Sequence, residues 1–127
     1  MNLVIIAGSY PSALDCYSGA FVRQFVLALA RQGHCCTIIN PVRWLARRFG
    51  PLPPRQELDC EGEVELQTVR PRMLSFSMKH FGPIRAGLLT QAAFNQAVRR
   101  TVSKLRLQTD LFYGHFLYPA GYAALVV

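Results

Sequence analysis

The chain has 127 residues, of which 51% are hydrophobic and 17% charged, and it carries a formal net charge of +7. This composition excludes an intrinsically disordered chain, and the length predicts a single domain over residues 1–127. No apolar run approaches the roughly 20 residues of a membrane span, and the N-terminus lacks the basic start of a signal peptide. We therefore expect a cytoplasmic protein whose positive charge suits an anionic partner.

The cysteines do not predict a metal site. Their sequence positions show no CxxC spacing, and the histidines stand far from them along the chain. In the absence of a secretory signal, reduced thiols are expected. No metal and no cofactor is predicted.

Residues 2–41 predict a strand–loop–helix–strand unit. Residues 2–8 form a short apolar run, typical of a strand that is buried on both faces. Residues 9–19 are rich in Pro, Ser, Asp and Gly and predict a loop. Residues 20–33 place apolar side chains at helical spacing, and residues 34–41 predict a second buried strand. The unit has the form βαβ, so the two strands should be parallel.

The middle of the chain is less regular. Residues 42–62 read as irregular apart from a short helix over residues 42–49, and residues 63–71 alternate like a half-exposed strand close to a sheet edge. Residues 73–83 predict a second loop. The acidic residues in this part read as solvated positions of a loop and a strand edge: Glu57, Asp59, Glu61, Glu63 and Glu65.

The last third predicts a helix, a strand and the start of another helix. The helix spans 84 to about 107, the strand spans 110–116, and Tyr118-Pro119 is suited to a helix start. The whole chain therefore predicts an α/β domain with a mainly parallel sheet flanked by helices. The predicted inner face of the long helix comprises Ile84, Leu88, Ala92, Val98, Val102 and Leu105.

The loop after the first strand departs from the dinucleotide-binding pattern. Its glycines are too far apart for GxGxxG, and Asn40 stands where an acidic residue would hold the ribose. A Walker A loop is absent as well. Ser18 is predicted to cap the following helix, and Gly19 would let a ligand approach the backbone at a helix N-terminus suited to phosphate. Simple turn chemistry is the alternative reading of Gly19.

His115 follows a predicted parallel strand, so it should emerge at the carboxyl edge of the sheet, where ligands of such sheets bind. A histidine there suits contact with a sugar hydroxyl, contact with phosphate, or proton transfer. A structural hydrogen-bond donor is the alternative reading. No Ser/His/Asp constellation accompanies it.

Two blocks of the sequence resemble the N-terminal domain of family 4-like retaining glycosyltransferases, which have two Rossmann-like domains. Residues 10–41 are similar to the family's Pro, Gly-containing loop, Phe-Val, helix, Gly-His and strand ending in Pro. Residues 110–127 are similar to its strand, His, Pro-Ala-Gly and helix. The helix from Gly87 to Leu105 occupies the family's place before that strand. The order and spacing of these blocks carry the likeness.

The resemblance implies a Rossmann-like fold and transfer of a sugar from a nucleotide-sugar donor to a carbohydrate, glycolipid or small-molecule acceptor, with retention. It implies that His115 contacts the reacting sugar and that Ser18 and Gly19 belong to the loop that closes over the donor phosphates. The family often has two adjacent glycines there, whereas this chain has Ser18-Gly19.

The family's donor site belongs to a C-terminal domain that residues 1–127 do not contain. We therefore expect a truncated glycosyltransferase that is inactive alone. The alternatives are a non-catalytic module that binds an anionic or membrane surface and a degenerate remnant. Trp44, Arg47 and Arg48 are compatible with peripheral docking at a membrane, which would also suit a lipid-linked acceptor. No RNA-binding signature is visible, so nucleic acid is not expected as a partner.

Overall fold

The computed structural model describes residues 1–48, 50–76, 80–81 and 84–127. Within these ranges the chain forms nine β-strands and three α-helices. The strands are β1 (Asn2–Ala7), β2 (Cys35–Ile39), β3 (Val42–Arg43), β4 (Gln56–Glu61), β5 (Val64–Val69), β6 (Arg72–Met73), β7 (His80–Phe81), β8 (Ile84–Arg85) and β9 (Leu111–His115). The α-helices are α1 (Ala20–Arg31), α2 (Ala86–Leu105) and α3 (Tyr122–Val126).

The principal sheet is mixed and has five strands in the order β4-β5-β2-β1-β9. β1 pairs in parallel with β2 on one side and with β9 on the other, and β2 pairs in parallel with β5. Only the β4–β5 pair of this sheet is antiparallel. The prediction of an α/β domain with parallel first and second strands is confirmed.

β1 lies at the centre of a core that covers both faces of the sheet. Alternate side chains of a strand point to opposite faces, so Leu3 and Ile5 pack towards α1, whereas Val4 and Ile6 pack towards α2 and α3. All four are at most 7% exposed. Full burial of such a side chain stabilises the fold by about 1.5–3 kcal/mol. Their helical partners include Val22, Val26 and Leu27 on the first face, and Phe94, Val98 and Ala123 on the second.

The predicted inner face of α2 is partly wrong. Val98 is fully buried, but Leu88 is 65% exposed and Ala92 is exposed as well. Gln91 and Phe94 are buried instead, because α2 packs against the chain around Pro119 as well as against the sheet. The side-chain amide of Gln91 donates to the carbonyl of Pro119 at 3.1 Å. Ile84 lies in β8, and its side chain is outside the described residues.

The prediction that residues 42–62 are irregular is wrong for β4. This strand alternates half-buried and exposed positions at the sheet edge, and the side-chain partners of its carboxylates lie elsewhere in the chain. Asp59 accepts a hydrogen bond from Arg23 at 2.6 Å, and Glu57 pairs with Arg70 at 2.6 Å. These carboxylates are therefore tied to arginines rather than simply solvated. Such long-range pairs leave no trace in local periodicity.

Two other segments can be compared with their predictions. The short helix predicted over residues 42–49 is confirmed in part, since a 3-10 helix spans Trp44–Arg48 and Val42–Arg43 form β3 instead. Phe49 lies outside the described residues. The predicted loop 73–83 contains the short strand β7, while residues 77–79 and 82–83 lie outside the described part of the chain. A helical turn over Leu117–Gly121 follows β9, but Tyr118 departs from helical φ/ψ, and α3 begins only at Tyr122.

Close backbone contact joins β9 to the turn that follows it. A Cβ atom on Gly114 would lie 2.4 Å from the Cα of Gly121, which no ordinary contact permits. We expect Gly114→Ala to lower the free energy of unfolding by more than about 2 kcal/mol, because backbone would have to move. Urea denaturation measures this. Gly8→Ala is the matched control, since its added Cβ would meet Pro119 at an ordinary 3.6 Å. Equal stability of the two variants would contradict the contact.

Candidate functional site

The carboxyl ends of β1 and β9 meet at one edge of the sheet. Ala7, the last residue of β1, is in register with His115, the last residue of β9. The loop 8–19 leaves β1 at this edge and returns to the start of α1. The structure thus places His115 beside the loop that contains Ser18 and Gly19, which is where ligands of open parallel sheets bind.

Gly19 is required by the way the loop closes. It is buried at the N-cap of α1 with φ 74°, a left-handed conformation that favours glycine. A Cβ atom here would lie 2.6 Å from the carbonyl oxygen of Ser9. The predicted side-chain cap by Ser18 is wrong, because its hydroxyl is hydrogen-bonded to the hydroxyl of Ser9 at 2.6 Å. The two ends of the loop are therefore tied together.

Asp15 orders the middle of the same loop. Its Oδ1 accepts hydrogen bonds from the backbone N–H groups of Tyr17 and Ser18, both at 3.1 Å. The backbone of Ser12 also exchanges two hydrogen bonds with Asp15, at 2.9 and 3.1 Å. Local bonds of this kind are how Asp stabilises turns. The loop that approaches His115 thus has a defined shape.

The imidazole of His115 lies among aromatic rings. Its centroid is 5.2 Å from the ring of Phe21 and 4.6 Å from the ring of Phe116. Its Nδ1 atom is shielded from solvent and has no hydrogen-bond partner among the described residues. A buried polar atom without a partner costs free energy, so a small movement that admits a hydroxyl donor or acceptor would relieve it.

An aromatic surface surrounds this histidine, and we did not predict it from the sequence. Phe25 stacks against Tyr113 at 5.1 Å, next to the rings that contact His115. Phe21 is 56% exposed. The spacing in the sequence could have predicted it. Phe21 and Phe25 are four residues apart on α1, and Tyr113 and His115 are two apart on β9, so the members of each pair share a face. We call this group the aromatic surface: Phe21, Phe25, Tyr113, His115 and Phe116.

Two buried polar residues brace the same edge. Asn40, just after β2, donates its side-chain N–H to the carbonyl of Ala7 at 3.0 Å. Arg70 is only 1% exposed, and its guanidinium donates to Glu57 and to the carbonyl of Pro11, both at 2.6 Å. Asn40, which stands where a dinucleotide-binding domain would have an acidic residue, therefore braces the end of β1. The sequence did not predict the buried role of Arg70.

The residues predicted for membrane contact lie on the 3-10 helix. The Trp44 side chain is 45% exposed, and the guanidinium of Arg47 sits 5.3 Å from the centroid of its ring. Arg48 is exposed. The cation–π contact holds an aromatic ring and a positive charge together at the surface.

Over residues 1–48, 50–76, 80–81 and 84–127, no three His, Cys, Asp or Glu side chains gather in a way that would hold a metal ion. In the same ranges no helix combines the length and the apolar character needed to cross a membrane. Comparison with known proteins finds no matching family model and no similar curated protein.

Phe116 carries backbone strain at the site. Its φ of 68° and ψ of 149° lie in a region that is almost restricted to glycine. We expect Phe116→Gly to be more stable than Phe116→Ala by about 1 kcal/mol, the reverse of the usual order, because both lose the ring but only alanine keeps the strain. Chemical denaturation of the two variants measures the difference. An alanine variant of equal or higher stability would show that the backbone there is relaxed.

Tyr10 lies in the loop after β1 and is 6% exposed, and its hydroxyl is buried without a partner among the described residues. Burial, and secondarily the charge of Asp59, raises the pKa of Tyr10 to about 12 from 10.0. The unfolded chain therefore loses this proton first, so stability should fall between pH 10 and 12, by at most about 3 kcal/mol. Tyr10→Phe should lessen that fall without loss of stability at pH 7. Denaturation curves across this range test it, and an unchanged pH dependence would contradict it.

Proposed function

We propose that this domain is the acceptor-side, Rossmann-like domain of a retaining glycosyltransferase that uses a nucleotide-sugar donor. The observation that carries the proposal is the register of Ala7 with His115, which brings the histidine beside the loop of Ser18 and Gly19. The resemblance of the sequence assigns a sugar contact to His115 and a role near the donor phosphates to the loop of Ser18 and Gly19.

The aromatic surface supports a carbohydrate ligand. The C–H groups of a sugar ring pack against aromatic faces, and its hydroxyls need polar partners close by. Phe21 and Phe116 offer partly exposed rings, and the imidazole of His115 contacts both of them as a polar group. A sugar hydroxyl that reached Nδ1 would satisfy an atom that now lacks a partner.

In this proposal the residues of this chain bind and orient. His115 contacts the reacting sugar and stabilises it as charge develops at the anomeric centre; it does not attack as a nucleophile. Gly19 itself closes the loop against Ser9. The donor phosphates would therefore approach the start of α1, where backbone N–H groups favour negative charge. The residues that hold the nucleotide would come from a second domain, as the resemblance implies, and residues 1–127 alone should not turn over substrate.

A second candidate function is docking at an anionic membrane surface, and the pairing of Arg47 with the exposed ring of Trp44 favours it. An aromatic ring beside basic side chains suits the boundary between head groups and acyl chains. Docking would also serve transfer to a lipid-linked acceptor, so the two functions are compatible.

The sugar site is tested with UDP-glucose and GDP-mannose by saturation-transfer NMR, a method suited to weak binding. We expect transfer from the protein to the hexose ring protons of at least one ligand, and less to the base, whose binding residues the resemblance assigns to another domain. His115→Asn should abolish the transfer to the hexose because it removes the imidazole from the aromatic surface.

His34→Asn is the matched control. His34 is also half-buried with an unpartnered Nδ1 among the described residues, but it precedes β2 and so lies at the amino end of the strands. Transfer should persist in this variant. Transfer that survives in His115→Asn, or no transfer to any hexose in the unaltered chain, would refute the sugar contact; the latter outcome would favour the remnant or the docking module.

A further inference from the structure

A cavity lies on the α2 side of the molecule. One wall is α2, and the other is formed by the start of β4 and by the chain from the end of β5 to just past β6. Its volume is about 740 Å³, within the roughly 300–1,000 Å³ of small-molecule sites. Five basic residues line it: Arg55, Arg70, Arg72, Arg100 and Lys104. Among the described residues no Asp or Glu lines it. Neither His115 nor Gly19 belongs to its lining, which shares only Arg70 with the residues described above at the carboxyl edge.

Most of these charges lack a counter-ion. Arg70 is committed to Glu57, but none of the other four forms an ion pair with a described residue. Arg72 donates one Nη2 hydrogen bond to the carbonyl of Pro53, while its Nη1 is buried with no partner in the described chain. A buried cationic donor without an acceptor is costly. An anion that enters the cavity would supply the acceptor.

The basic residues also repel one another on both walls. Burial, followed by the charges of Arg55 and Arg70, lowers the pKa of Arg72. On the other wall, Arg100 and Lys104 are four residues apart on α2, where like charges destabilise a helix. Both walls thus carry a repulsion that a bound negative charge would relieve.

The remainder of the lining is largely apolar. Met73 and Ala97, which are 7% and 8% exposed, belong to the core on this side of the sheet, and Val69 and Leu105 extend the apolar wall. A bare inorganic anion would leave this wall uncovered. A ligand with an anionic group and an apolar body matches both parts of the cavity.

We propose that this cavity binds an organic phosphate monoester. The phosphate contacts Arg72, Arg100 and Lys104, and the apolar body lies against Met73 and Ala97. A water-soluble phosphate ester and a lipid with a phosphate head group both present this chemistry, and the experiment separates the two sources.

Isothermal titration calorimetry of the full 127-residue chain with octyl phosphate, below its micelle concentration, tests the site. Octyl phosphate should bind. Inorganic phosphate and octyl glucoside should each bind at least about tenfold more weakly, because the first lacks the apolar chain and the second lacks the anionic group. Inorganic phosphate that binds as well as octyl phosphate would overturn the role of the apolar wall. No binding of octyl phosphate would overturn the proposal.

Two double variants with the same loss of charge show where the ligand binds. Arg100→Gln with Lys104→Gln should weaken octyl phosphate binding at least about tenfold. Arg31→Gln with Arg85→Gln should change it no more than about twofold, since both side chains are exposed, neither lines the cavity, and exposed charges are screened. Thermal melts confirm that both variants fold. An equal effect of the two would show that only net charge matters and would overturn the site.

Vesicles of phosphatidylcholine that contain phosphatidic acid identify the source of the phosphate. If the Arg100/Lys104 variant loses vesicle binding in sedimentation, a lipid phosphate enters this cavity. If it keeps vesicle binding but loses octyl phosphate binding, the vesicle contact lies outside the cavity, as at Trp44 and Arg47, and the ligand of the cavity is a soluble ester. Retention of both would contradict the proposal.

Discussion

The burial of β1 on both faces and along both edges is the constraint on which the rest of the structure depends. From Leu3 to Ala7, no side chain is more than 7% exposed. Parallel pairing with β2 and β9 follows from this central position, and each face then needs a helical cover. The same pairing aligns the carboxyl ends of the three strands. The site at that edge is therefore a product of the core rather than an addition to it.

Close backbone contacts give this edge its shape. Gly19 meets the carbonyl of Ser9, and Gly114 meets Gly121, so side chains are excluded at two points where loops return. Strand pairing sets His115 beside Ala7, where the loop after β1 begins, and Phe116 next to it is held in a strained conformation. Strain of this kind concentrates at functional sites, because the surrounding packing sustains it. The sugar contact proposed above depends on this polar ring and its aromatic neighbours.

Local patterns predicted those elements whose burial is regular. β1, α1, β2 and β9 all follow from apolar runs or helical spacing close to turn residues. β4 was missed because its stability comes from partners far along the chain, such as Arg23 for Asp59. The buried face of α2 was predicted wrongly for a related reason. Its contact with Pro119 forms only in the tertiary structure and does not follow from the spacing of apolar residues along the helix. The basic cavity was invisible in sequence, because Arg55 and Lys104 come together only in the fold.

The two sites differ in character, and a single ligand distinguishes them. UDP-glucose carries both a hexose and phosphates, so it presents groups that suit the aromatic surface and groups that suit the basic cavity. A map of ¹H–¹⁵N chemical-shift changes on titration with UDP-glucose shows which it prefers. We expect changes in loop 8–19 and in β9 up to His115, where a sugar contact is proposed. Changes confined to the residues around Arg72 and Arg100, with none at the carboxyl edge, would contradict it.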